Sequence, residues 1–375
     1  MTESDGALTG LRVVDLSRVL GGPYCTQILG DHGADVIKVE PPQGDETREW
    51  GPPFSGGSSA YFQGINRNKR GISLDLKEDA AREALGALLE TADVLVENFK
   101  PGTMEGWGLT VPVLAQRYPR LVHCRVSGFG ADGPLGGLPG YDAAVQAMVG
   151  LMSVNGEAAG HPTRLGVPVV DMATALNAVI GILLALQERE RSGKGQFVDV
   201  SLFDCGLSLL HPHAANFFAS GKVPQRTGNA HPNIAPYDTF RTADGDIFLA
   251  VGNDRQFRSL CRHLGCPDLA EDSRFRSNAE RSRNRDALKA ELERHLVGHQ
   301  AALLSEALIR AGVPCGPVLT VAESLALPHT QHRGMVLTDG DYSGVGAPVK
   351  LARTPARLRR LPPRFGEHDD EVLRS

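Results

Sequence analysis

Short runs of valine, isoleucine and leucine alternate with amphipathic stretches through the first two hundred or so residues. Residues 11–16 form an apolar run with β-branched Val13 and Val14 and read as a strand. Gly21-Gly22-Pro23 breaks it and opens a helix over about 24–32, with Pro23 at the first helical position and Gly33 beyond its end. Residues 35–39 are the next strand, which makes a strand–helix–strand unit with a right-handed parallel crossover. The pattern continues with a strand over 71–76 and a helix over 77–91 that carries Ala81, Leu85, Leu88 and Leu89 on one stripe. Strands follow at 93–96 and 121–126, a helix at 142–152, and a strand at 196–203 leading into a helix with Leu207 to Leu210. The apolar run 172–186 is broken by Asn177, is too short to span a bilayer, and reads as a core helix. This alternation predicts a doubly wound α/β domain.

The pattern changes after Gly221. Residues 237–251 alternate like an antiparallel hairpin with Asp244-Gly245 at the turn, and charge-rich helical segments fill 254–311. The reading is a large domain over 1–205, a linker helix over 206–225, a smaller α+β domain over 226–330, and a C-terminal segment over 331–375. That last segment is extended and proline-rich around Leu361-Pro-Pro-Arg-Phe365.

A chain of 375 residues with 41% hydrophobic and 22% charged residues can bury two cores, as an ordinary globular protein does. A net charge of −5 excludes a general nucleic-acid binder, while an anionic small molecule stays compatible with local basic patches. Asn66-Arg-Asn-Lys-Arg70 with Lys77 is one such patch; a solvated charged loop is its plainer reading. The opening Met-Thr-Glu-Ser-Asp is acidic and polar, unlike a secretory leader. Six scattered cysteines without a C-x-x-C pair read as reduced and unligated. A cytoplasmic enzyme with no metal, no membrane and no nucleic-acid partner is expected.

In doubly wound sheets ligands sit beyond the carboxyl ends of the strands, which points to Arg18 to Gly22, Glu97 to Lys100 and Ser127 to Gly130. The first turn is not G-x-G-x-x-G, so a nicotinamide or flavin reading loses its main support. Asp171, in Gly166-Val-Pro-Val-Val-Asp-Met, is a carboxylate in apolar surroundings just before a helical run. It reads as the cap of that helix and as a nucleophile, and the two are compatible, since a helix N-terminus stabilises the ionised carboxylate a nucleophile needs. Asp142, after Gly140-Tyr141, is either a second functional acid or another cap. His231, in Gly228-Asn-Ala-His, could bind an anionic substrate or simply hydrogen-bond within its loop. His211 and His213 have the wrong spacing to share a metal on one helix face.

Taken in order, several motifs resemble one known family. They are Gly10-Leu-Arg-Val-Val-Asp-Leu, Gly22-Pro-Tyr, Gly33-Ala-Asp-Val-Ile-Lys-Val-Glu-Pro-Pro, Asn68-Lys-Arg, Leu74-Asp-Leu-Lys77, Glu97-Asn-Phe-Lys-Pro-Gly102 and Gly193-Lys-Gly-Gln196. The chain resembles the class III CoA-transferases, the carnitine- and bile-acid-CoA transferase family, from about residue 8 to Gly366-Glu-His368. The resemblance implies a Rossmann-like large domain built from both chain ends, a small domain, and an interlocked homodimer. It implies acyl-CoA and a carboxylic acid as substrates, no permanently bound cofactor, and Asp171 as nucleophile. The CoA contacts it implies fall on Val19, Leu20 and Gly21, on Leu74 and Lys77, on Asn98, Phe99 and Lys100, and on Tyr141 and Asp142. Gly228, Asn229 and His231 fall at the acyl-group end. The sequence departs from the formyl-CoA branch at Pro41, Gly106 and Pro139, where that branch is basic. Phosphate contacts are then expected from Arg67, Arg70 or Lys100. The missing glycine run at 228–233 points away from oxalate and towards dicarboxylic or hydroxy acids such as succinate. The alternative in the same fold, an α-methylacyl-CoA racemase, needs a Gly-His-Asp motif where this chain has Gly140-Tyr141-Asp142, and tyrosine is a poor base at neutral pH.

Overall fold

The computed structural model describes residues 6–374, which divide into two compact units. The first contains residues up to Leu151, Leu165–Ala215 and the segment from Pro328 onward. Its centre is a parallel six-stranded sheet: β1 (Arg12–Asp15), β2 (Asp35–Glu40), β3 (Lys69–Ser73), β4 (Val94–Glu97), β5 (Val122–Ser127) and β6 (Phe197–Ser201). The strand order is β3-β2-β1-β4-β5-β6, the order of the doubly wound dinucleotide-binding folds. The order reverses between β1 and β4, so the loops leaving those two strands diverge and open a crevice.

Alternation along each strand supplies both faces. Val13, Val36, Val94, Val96, Cys124 and Val126 pack with Leu29 of helix α1 (Gly21–Asp31) on one side. Val14, Ile37, Val39, Ile72 and Leu95 pack with Leu85, Leu88 and Leu89 of α2 (Asp79–Glu90) on the other. Period-two side-chain direction explains why neighbours such as Val13 and Val14, both fully buried, belong to different cores. Two further helices place site residues: α3 (Asp142–Met148) and the long α4 (Val169–Ser192). At 24 residues α4 is long and apolar enough to cross a bilayer by length and composition, which corrects the shorter reading; it runs straight through Asn177. Its Val170, Ala173, Thr174, Ala178, Ile182 and Ala185 are nonetheless buried in this unit, packed against α1. α4 is a core helix. Other boundaries shift by up to four residues: α1 begins at Gly21 with Pro23 as its third residue, β3 lies over Lys69–Ser73, and α3 ends at Met148.

The C-terminal segment contributes a small antiparallel pair, Val336–Asp339 with Tyr342–Val345. It then runs along the β3 edge, where Asn68 N donates to Arg360 O at 2.9 Å and His368 N to Gly71 O at 2.9 Å. The second unit comprises Met152–Arg164 and Asn216–Leu327. Its hairpin, Tyr237–Arg241 with Asp246–Ala250, turns at Asp244-Gly245 as the pattern predicts. Asp244 Oδ1 also accepts from Ala301 N at 2.8 Å, which caps the helix Ala301–Arg310. Phe240, Ile247, Leu249, Phe257, Leu288, Leu292 and Leu308 form this unit's own core.

Candidate active site

The turn after β1 is built on buried charge. Asp15 Oδ1 accepts from Ser17 N at 3.0 Å and from the Ser17 hydroxyl, and Asp15 Oδ2 accepts from Thr26 Oγ1 at 2.6 Å and Lys69 Nζ at 3.0 Å. Lys69 Nζ also donates to Pro23 O and Asn66 Oδ1, both at 2.8 Å. Lys38 Nζ donates to Ser17 O at 2.9 Å and Asp45 Oδ2 at 3.0 Å. These lysine and aspartate side chains are completely buried. Burial pushes the Asp15 carboxyl up, but Lys69, Lys38 and the two hydroxyls outweigh it and hold it at about 2. Burial pushes Lys69 down to about 8 against the pull of Asp15.

This network fixes a tight turn over residues 17–23. Val19 sits at φ 70, a left-handed conformation that is strained for a β-branched residue. A side chain at Gly22 would run into Ser17, so the turn requires glycine there. Gly21 comes so close to α4 that a Cβ on it would lie 3.7 Å from Asp171 Oδ1. Helix α1 starts at this point with no side-chain cap, so the Gly21 and Gly22 N–H groups have no intrahelical acceptor.

Asp171 lies in the first turn of α4, whose N-cap is Pro168, and it does not cap the helix. Asp142 does so from outside. Its Oδ2 accepts from Val170 N at 2.8 Å and Asp171 N at 3.1 Å, and its Oδ1 accepts from Gln146 Nε2 at 2.6 Å. Both single-helix capping readings are therefore replaced by one tertiary cap: α3 starts after Tyr141, and its first residue serves α4. Burial pushes the Asp171 carboxyl up, and the Asp142 charge adds to it, to about 7. Burial, then the charges of Asp171 and Asp142, raise the Tyr61 phenol to about 12. The Tyr61 ring is held edge-on by Trp50 at 5.2 Å.

The turn after β1 and Asp171 border a cavity of about 260 Å³ at the sheet's switch point; Asp142, expected among the CoA contacts, is not in its lining. Val19, Leu20, Gly21, Asn98, Phe99, Lys100, Tyr141 and Asp171 all line it, so sequence reasoning assembled most of one wall set. Arg18 and the Ser127-Gly128 turn, to which the strand-end rule points, line it too, together with Leu138, which no sequence signal singles out. Gly128 and Gly140 pass so closely that a Cβ on Gly128 would lie 2.7 Å from Gly140 N, so neither loop tolerates a side chain there. Asn98 spends its amide on the opposite loop: Oδ1 accepts from Arg18 N at 2.9 Å and Nδ2 donates to Arg18 O at 2.7 Å.

Other sequence candidates lie elsewhere. Leu74 is buried in the core shared with α2, and Lys77 is exposed before that helix; neither lines this cavity. Arg67 grips Asp31 through two bonds of 2.8 and 2.6 Å, and Arg70 pairs with Asp35 and Glu371. Both are paired within the fold and neither lines this cavity; of the three cations expected at the phosphates, Lys100 does. Gly228, Asn229 and His231 belong to the second unit. There Asn229 Nδ2 donates to Thr239 Oγ1 at 3.1 Å, and His231 Nδ1 accepts from Asn233 N at 3.0 Å.

The chain matches the sequence model of CoA-transferase family III over residues 8–369. It belongs to that family. It is 41% identical to the succinate–glutarate CoA-transferase of Agrobacterium fabrum, an alignment that covers 98% of this chain and 94% of the relative. It is 44% identical to the acetyl-CoA:oxalate CoA-transferase of Acetobacter aceti, over 92% and 90% of the two chains. Among solved structures, a CaiB/BaiF family protein from Brucella suis superposes with a TM-score of 0.89 at 43% identity, over 98% of each chain. As a family III CoA-transferase the protein is an enzyme, and a CoA thioester with a carboxylic acid is the substrate pair that fits it.

Proposed function

We propose that this enzyme moves CoA from a dicarboxylyl-CoA, with succinyl-CoA as the first donor to test, to a second carboxylic acid, and that Asp171 is its nucleophile. The observation that carries the reading is a desolvated aspartate in the switch-point cavity, with no cationic partner among the described residues, facing the open N-terminus of α1. The Asp171 carboxylate attacks the thioester carbonyl, forming a mixed anhydride and releasing CoA thiolate. The thiolate attacks the aspartyl carbonyl, giving an aspartyl-CoA thioester and the first free acid. The incoming carboxylate attacks that thioester, and the thiolate returns to the new acyl carbonyl, which regenerates the aspartate. The Gly21 and Gly22 N–H groups stabilise the oxyanions that form beside Asp171.

Relatives support a dicarboxylic substrate, because their names cover glutarate, mesaconate and oxalate. Incubating the protein with succinyl-CoA and a panel of acids, and following acyl-CoA products by mass, is expected to yield new thioesters with dicarboxylic acceptors. Solvent deuterium entering the α-carbon without any exchange of CoA would replace this reading with a racemase. The exposed apolar face of α4, with Leu176, Ile180, Leu183 and Leu184 between 41% and 66% exposed, supports a homodimer, for which we propose the interlocked form. All six cysteines are free thiols, which supports a reducing, cytoplasmic setting.

The raised Asp171 carboxyl predicts a rate limb. Since only the ionised form attacks, kcat/KM should climb about tenfold per pH unit below about 7 and level off above it. Asp142→Asn keeps an acceptor for the α4 amides but removes the neighbouring negative charge. Its limb should move by about one unit to lower pH, as expected for loss of a close like charge. An unmoved limb would assign the shift to burial alone.

A further inference from the structure

The cations around the strand ends are nearly all spoken for. Lys38 and Lys69 are locked to Asp45 and Asp15, Arg48 to Glu40, Arg67 to Asp31, Arg70 to Asp35, and Arg125 to Glu97 and Glu105. Two cations that line the cavity differ. Arg18, after β1, and Lys100, after β4, form no ion pair among the described residues, not even with Glu46 on the same wall. Arg18 Nε is buried and meets no acceptor among the described residues. A buried guanidinium N–H without an acceptor keeps the full cost of losing its water, so it normally has a partner in the working molecule.

The surroundings hold Arg18 in place. Its backbone N–H and C=O are both bound by the Asn98 side chain, and the strained Val19 follows it. This effort goes into aiming a residue whose side chain makes no ion pair, and whose Nε meets no acceptor, among the described residues. The two cations stand on opposite lips of the switch point, the place where doubly wound sheets receive phosphates. A pair of positive groups on diverging loops matches a ligand that carries two linked anionic groups.

We propose that Arg18 and Lys100 hold the diphosphate of the CoA carrier across the switch point, with Arg18 Nε donating to a phosphate oxygen. The inference rests on the CoA-transferase reading above and adds the residues that hold the anion. The neutral variant Arg18→Gln should weaken binding of free CoA about 10- to 100-fold, the size expected for lost hydrogen bonds to a charged group. It should weaken binding of pantetheine, which lacks the diphosphate, far less, and so narrow the wild-type preference for CoA. Arg18→Lys should recover part of that preference, and the affinity of the wild type for CoA should fall with added salt more steeply than that of Arg18→Gln.

Calorimetric titration of wild type, R18Q, R18K and K100Q with CoA and with pantetheine distinguishes the outcomes. Wild type that binds no CoA would sink the transferase reading itself. Wild type that binds CoA while R18Q binds it equally well would overturn only the present inference. A loss in R18Q that appears equally with pantetheine, together with a lowered melting temperature, would make Arg18 a structural residue. A loss that follows succinyl against acetyl thioesters, on either carrier, would assign Arg18 to the free carboxylate of the acyl group and overturn the diphosphate assignment.

Discussion

Replacing Asp171 with asparagine is expected to abolish CoA transfer and to leave a protein that melts at a higher temperature. Removal of a nucleophile that acts together with its surroundings costs at least about four orders of magnitude in turnover. The stability gain follows from the direction of the carboxyl shift. Burial and Asp142 raise Asp171 to about 7, well above the ordinary value of 3.8. Between those values the folded protein holds a proton that the unfolded chain has released, so the stability of the native state falls as pH rises through that window. Above about pH 7 the ionised carboxylate is paid for in full by the fold. Asparagine keeps the shape and carries no charge, so its advantage should be largest near pH 8 and vanish towards pH 4. Thermal melts of wild type and D171N at several pH values, run beside the transfer assay, check both halves. Unchanged turnover in D171N would remove Asp171 from the mechanism. A lower melting temperature at pH 8 would show that the side chain stabilises the fold and is not strained by it.

The second large effect concerns the charges beneath the turn. Lys69→Met should destabilise the protein by about 3–5 kcal/mol, the usual result of leaving a buried charge without its partner. Asp15 would keep Ser17, Thr26 and the more distant charge of Lys38 but lose the cation bonded to it, while Pro23 O and Asn66 Oδ1 would lose their donor. Since the same network shapes the Val19–Gly22 turn, any transfer remaining in the folded fraction should also fall. Removing both charges, in Lys69→Met with Asp15→Leu, should cost less than the sum of the single changes, because no orphaned charge remains. Urea unfolding followed by circular dichroism measures each corner of that cycle. Additive losses would mean that the lysine and the aspartate act independently.

Much of the architecture was legible because it is local. Alternation at Val13 and Val14, the stripe of Leu85, Leu88 and Leu89, and the Asp244-Gly245 turn each state an element within a few residues, and each element formed. The strand-end rule then gathered Arg18 to Gly21, Asn98 to Lys100 and the Ser127-Gly128 turn around one crevice, because a parallel sheet delivers all its loops to one edge; Asp171 joins them from the start of α4, where its apolar setting singles it out. The basic run at 66–70 misled for an equally physical reason. Charge in a sequence shows no partner, and Arg67, Lys69 and Arg70 found theirs on α1, β1 and β2.

Strand and helix order, the absence of a dinucleotide fingerprint and the aspartate at position 171 were thus determined by the sequence alone, since each depends on residue type and spacing. The tertiary structure decided which carboxylate caps α4, a contact made by Asp142 across 28 residues. It also decided that Asp171 is left desolvated beside a like charge and that Arg18 Nε, at the cavity wall, meets no acceptor among the described residues. Those outcomes depend on which groups folding brings within a few ångströms of one another and how much water it removes, and neither distance nor burial is written in local pattern.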